Sequence, residues 1–190
     1  AYSAAKSAGN ESAELLTAAR TAMRWLESKE QLTLPLLKLW STTEQWAGAP
    51  AAATNIYIRA SERAPNDFGL LESVVNTAAE QKQLPLALAS LAKRNDAGTI
   101  WYLGKAQFYL AGEERQNGNA EQAMKMLDAA RASFTQSMTK NLAYRDSCEQ
   151  WIAMAIGKQG NICYASKKYD ECEKLLVEAT KMRPDLINQD

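Results

Sequence analysis

Apolar residues recur at spacings of three and four along most of the chain, broken by short runs of turn-forming residues, which predicts helices joined by tight turns. In residues 13–26 the stripe is Leu15, Leu16, Ala19, Ala22, Met23 and Leu26, with Asn10 or Ser12 as its cap. Thr33 caps the next helix, whose first turn accepts Pro35 because a proline there lacks only an N–H with no intrahelical partner. That helix carries Leu36, Leu37, Trp40 and Trp46. Gly48 and Pro50 end it and start another bearing Ala53, Ile56, Tyr57 and Ala60, which Pro65 stops. Asp67 caps a helix with Leu71, Val74, Val75 and Ala78, and Pro85 opens one with Ala87, Leu88 and Leu91. Thr99 is the expected cap for Ile100, Trp101, Leu103, Gly104, Phe108 and Tyr109. After the turn at Asn117, Gly118 and Asn119, a capping box of Asn119 and Gln122 leads into Ala123, Met126, Leu127, Ala130 and Phe134. A long helix over about 141–165 continues through Tyr144, Cys148, Trp151, Ile152 and Ala155.

The last stretch is a helical hairpin. Ile156, Gly160, Cys163 and Tyr164 form one face, Cys172, Leu175, Leu176 and Ala179 the other, and the polar residues 166–170 lie between them. Gly160, the aromatic Tyr164, the Tyr169, Asp170, Glu171 opening, Leu176, Ala179 and Pro184 together resemble the tetratricopeptide repeat family. The period supports the resemblance: Ala53, Tyr57 and Ala60 are followed 34 residues later by Ala87, Leu91 and Arg94, about the family repeat. Arg94 departs from the small residue preferred there and must open the packing or snorkel outward. The triplet Ala123, Leu127 and Ala130 is offset by 36, and Cys172, Leu176 and Ala179 by a further 49, a surplus assigned to the long helix. Trp101, Leu103 and Gly104 look like the family's opening signature with one residue missing, so the register of the third repeat is open.

The resemblance implies an all-α, right-handed superhelical solenoid of antiparallel helix pairs with about nine helices. Residues 1–33 form an N-terminal helical segment packing on the first repeat, and 34–190 the solenoid, with repeats near 34–67, 68–96, 99–138 and 141–184. The expected function is a non-catalytic scaffold that binds a peptide or protein segment on its concave face. The alternative is a structural or spacer domain with no groove ligand. In this family the first helices of the repeats line the groove. Carried onto this chain, that points to Lys38, Thr42, Trp46, Glu72, Asn76, Trp101, Lys105, Tyr109, Asn161 and Tyr164. The family's carboxylate-gripping groove is not matched, because Thr42 follows Lys38 where an asparagine is needed, and Trp101 and Tyr102 stand where basic residues are wanted.

Composition narrows the picture. Lys and Arg number 22 against 22 Asp and Glu, so no broad positive field favours nucleic acid or direct membrane association. Hydrophobic residues at 46% are ordinary for a folded domain. No apolar run reaches a bilayer span, and the first residues lack the plan of a secretory signal, so the reading is soluble, with the compartment open and the cytoplasm favoured. The chain has no histidine, which removes the commonest general base and the Ser-His and Cys-His pairs. No phosphate loop or dinucleotide motif is present, and Cys148, Cys163 and Cys172 lack zinc spacing. The expectation is therefore no enzyme, no cofactor, no metal, and three buried free thiols, with Cys148 the most accessible. The C-terminal helix, with Leu186 and Ile187 after it, is expected to leave apolar surface for chain continuation or self-association.

Overall fold

The computed structural model describes residues 10–185, with side chains from residue 13. Among the described residues there are nine α-helices, one 3₁₀ turn and no strand. The chain divides into two compact units, residues 1–83 and 84–190.

The first unit contains α1 (Asn10–Ser28), α2 (Leu34–Trp46), α3 (Pro50–Arg63) and α4 (Phe68–Glu80), each packed on its neighbour in sequence. Its core is Leu37, Trp40, Ala53, Ile56, Tyr57, Leu71, Val74, Val75 and Ala78. Helix α1 is held differently: Leu15 is 55% and Trp25 57% exposed. Polar anchors fix it instead, a two-point fork from Arg20 to Glu44 (2.8 and 2.6 Å) and a contact of Glu27 with Arg59 at 3.1 Å. Hydrogen bonding from Arg20 holds the Glu44 carboxyl below its ordinary value, against the opposing effect of burial.

The second unit contains α5 (Leu84–Leu91), α6 (Ala97–Gln116), α7 (Ala120–Lys140), the 3₁₀ turn Leu142–Tyr144, α8 (Arg145–Ala165) and α9 (Tyr169–Met182). Neighbours pack in order, and α6 also touches α8. Phe108, Ala111, Ala123, Leu127, Ala130, Phe134, Cys148, Ile152, Ala155 and Ile156 are its interior. Gln159, 2% exposed, donates to Asp128 Oδ1 (2.6 Å) and accepts from Arg131 Nη1 (3.0 Å), while Arg131 reaches Glu178 at 2.6 Å. This chain of polar contacts ties α7, α8 and α9 together.

One turn geometry recurs. Gly48, Lys82, Gly118 and Lys167 all have positive φ (72°, 55°, 83° and 59°). Each sits in the same pair of closing bonds: Ala49, Gln83, Asn119 and Lys168 donate back to Glu44, Ala78, Glu114 and Cys163 at 2.7–2.9 Å. These are Schellman closures, in which a left-handed residue lets two N–H groups satisfy the carbonyls of the helix end. Glu30, with φ 55°, closes the end of α1 in the same way; the intervals of the other four, 34, 36 and 49 residues, repeat those of the Ala53, Ala87, Ala123 and Cys172 positions, all of which are buried.

Several local expectations are corrected. Thr99 is not a cap: Asp96 accepts from the Thr99 N–H at 2.8 Å and α6 starts at Ala97, leaving Thr99 fully buried in the first turn. The capping box at Asn119 and Gln122 does not form, because the Asn119 amide donates to Glu114 Oε2 instead (2.7 Å). Thr33 precedes α2 without a side-chain cap bond, whereas Asp67 accepts from Leu70 N as expected. The helix over 141–165 begins only at Arg145, because the Asn141 side chain closes a 3₁₀ turn onto Ala143 N. Arg94 lies beyond α5, which ends at Leu91; it pairs with Asp96 at 3.2 Å. All three cysteines are free and buried, Cys148 as completely as any. The expected caps Asn10 and Ser12 fall outside the described side chains, and Leu186 and Ile187 outside the described residues.

Candidate functional site

Two glycines set the closest approaches in the second unit. A Cβ added at Gly160 would lie 3.1 Å from Leu176 Cδ2, so α8 and α9 approach there as the hairpin pattern requires. A Cβ at Gly104 would lie 2.9 Å from the Phe134 ring, so α6 and α7 meet over an aromatic face. Phe134 in turn stacks on Trp151 of α8, with centroids 5.8 Å apart and planes at 24°. Trp151 is the hub: Trp101, Phe108 and Tyr109 of α6 stand edge-on to it at 5.9, 5.1 and 6.2 Å. Edge-to-face contacts of this kind favour a rigid cluster beyond the area they bury. The Trp101 indole N–H is satisfied by Ser147 Oγ at 3.1 Å.

Two ammonium groups lie on this cluster. Lys105 Nζ is 5.9 Å from the Trp101 ring and 5.7 Å from Tyr109, within cation–π range, although its side chain is buried. Lys158 Nζ is 3.9 Å from the Phe108 ring centre and the same distance from where a Gly112 Cβ would stand. A methyl at 112 would make only an ordinary van der Waals contact there, so the ammonium lies directly against this turn of α6. Burial, and next the like charge of Arg115, pull Lys158 below the ordinary lysine value. Among the described residues no carboxylate forms an ion pair with Lys158 or Arg115. Arg115 opens into a cleft of about 210 Å³ that Asn161 and Ser166 also line.

The candidates named from sequence separate by unit. Lys38, Thr42 and Trp46 lie on α2, where Lys38 and Trp46 are exposed and Thr42 half-buried. Glu72, exposed, and Asn76, half-buried, lie on α4. Trp101, Lys105 and Tyr109 come together as one face of α6. Asn161 joins Arg115 in the cleft. Tyr164 leaves this face and meets Tyr169 edge-on at 5.7 Å, both rings exposed. Trp151, read from sequence as packing, is the centre of the cluster, and Lys158 and Arg115 were missed. The signal for Lys158 is its position seven residues after Trp151 and three before Asn161, on one helical face. No family model and no curated protein matches the chain. Among the described residues no group of three or more Cys, Asp and Glu is placed to hold a metal, and no helix is long and apolar enough to cross a membrane.

Proposed function

We propose that this chain is a non-catalytic protein-interaction module, a tetratricopeptide-like helical repeat that holds a peptide or protein segment against the first helices of its hairpins. The observation that carries the reading is the α6 and α8 face. Trp101, Tyr109 and Trp151 are fixed by their neighbours yet remain only half-buried, and Lys105 and Lys158 lie against the rings. Rigid aromatics that keep part of their surface in water are the residues from which binding hot spots are made. Recurrent turns at intervals of 34, 36 and 49 residues support the repeat architecture. A right-handed superhelix is the finer form of this proposal.

The experiment is affinity purification with the full chain as bait, followed by direct titration of each captured protein in pure form. The expected result is a partner that binds directly and loses at least tenfold in affinity to Trp101→Ala or Tyr109→Ala with the fold intact by circular dichroism. Partners indifferent to both substitutions would remove this face as the site.

A further inference from the structure

Lys158 presents a physical problem that the fold does not solve. An ammonium taken partly out of water is ordinarily matched by a carboxylate or a cage of acceptors, because desolvating an unpaired charge is unfavourable. Lys158 Nζ instead stands 3.9 Å from the Gly112 position, one helical turn before Arg115 on α6, and Arg115 carries a charge of the same sign. The Phe108 ring at 3.9 Å supplies attraction through its π-face but leaves the ammonium's N–H donors unmatched. Other cations of the unit do meet carboxylates: Arg131 pairs with Glu178 at 2.6 Å, Arg145 with Glu149 at 2.9 Å and Lys125 with Glu121 at 2.7 Å. Lys158 is set apart by standing half-buried on the aromatic cluster, with Arg115 on the helix that packs against its own.

We infer that this end of the α6 and α8 face takes an acidic peptide segment of a partner protein, with an Asp or Glu carboxylate seated between Lys158 and Arg115. Charge complementarity selects the occupant. A carboxylate there relieves the repulsion between the two cations and supplies the acceptor that Lys158 lacks. Asn161, whose amide both donates and accepts, stands beside Arg115 in the cleft to meet the segment's backbone. The aromatic rings of Trp101, Tyr109 and Trp151 extend from the charged end and suit an apolar or aromatic side chain next to the acidic one in the segment. The chain as a whole is electrically neutral, so this preference is local to the face and is not a consequence of net charge.

The inference rests on the interaction-module reading, and the test separates the two. A displayed library of random 12-residue peptides is selected in parallel on the full chain and on a Lys158→Gln, Arg115→Gln double variant whose thermal melt is checked first. Peptides enriched in Asp and Glu are expected from the first selection and not from the second. Synthetic copies should lose at least tenfold in affinity on the double variant, and equally when their own Asp and Glu become Asn and Gln. Arg24→Gln, which removes an exposed cation of the first unit, should leave affinity unchanged. Nuclear magnetic resonance of Lys158 should show its pKa rising on saturation with peptide, since an arriving carboxylate favours the charged form. Neutral or basic peptides that bind both proteins equally would overturn the acidic preference while sparing the interaction module. Equal losses from Arg24→Gln would overturn it as well, showing only diffuse attraction. Failure to select any peptide would count against both.

Discussion

Each unit places a cation on a buried aromatic ring, and the two solve the resulting charge in opposite ways. In the first, Arg59 lies 5.5 Å from the Trp40 ring and is also held by Glu27 at 3.1 Å, while the Trp40 indole N–H donates to Glu44, which Arg20 grips from α1. Every charge in that cluster has an opposite beside it, and the arrangement fastens a helix that buries little apolar surface. In the second, Lys158 lies on Phe108 with Arg115 as its charged neighbour. The same contact is therefore structural in one place and left open in the other. A closed network spends its interactions on holding the fold, and the open one leaves a cation to be matched, which is the premise of the proposed acidic ligand.

The comparison breaks most visibly at Arg20. Arg20→Met leaves Glu44, 5% exposed, without its fork, and should destabilise by about 2–3 kcal/mol, less than for a fully buried pair because Arg20 is partly in water. Urea unfolding at pH 7 measures it. The sign with pH follows from the lowered Glu44 value: its contribution is present above the ordinary carboxylate range and is lost as pH falls through the folded value. The penalty for Arg20→Met should shrink in acid, and a penalty independent of pH would show that packing, not charge, holds α1.

Rigidity of the second cluster is tested next. Gly104→Ala drives a methyl to 2.9 Å from Phe134, which is fully buried and has no room to yield, and overpacking should outweigh the helix propensity gained, for a net loss of about 1–2 kcal/mol. Gly160→Ala is the contrast. Its contact is the end of Leu176, 43% exposed and free to turn, so thermal melts should show little change.

Lys158→Met should act in the opposite direction from Arg20→Met. Removing an unmatched, half-buried charge is expected to stabilise by up to about 1 kcal/mol at neutral pH. Because the folded protein holds that proton less tightly than the unfolded chain, the gain should vanish as pH rises through the ordinary lysine range. A loss of stability at pH 7 would mean that Lys158 is matched after all. The smallest effect is the control. Lys82→Gly and Lys167→Gly relieve the same left-handed strain in each unit, and each should add about 0.5–1 kcal/mol in chemical unfolding. Unequal gains would show that the turns differ as the clusters do.

Sequence by itself determined the helices and most of their breaks. The spacing of Ala53, Tyr57, Ala87 and Leu91 marks residues that are all buried, because the 3.6-residue period of a helix writes its packed face directly into the chain. Gly160 was legible for the same reason, since only a small residue admits a second helix so closely. The caps were less legible. Asp, Asn and Thr compete for the same backbone donors, and Asp96 displaced Thr99 through a contact three residues away that any of them has the chemistry to make. The site was legible only in part. Trp101, Lys105 and Tyr109 share one helical face and could be grouped from spacing. Their union with Trp151, and the placing of Lys158 and Arg115 on one face without an ion pair to a described carboxylate, was decided by how α6 and α8 meet. Helical periodicity says which residues face inward, but which charges then stand beside which is fixed by packing between segments some 40 residues apart in the chain, where no local rule reaches.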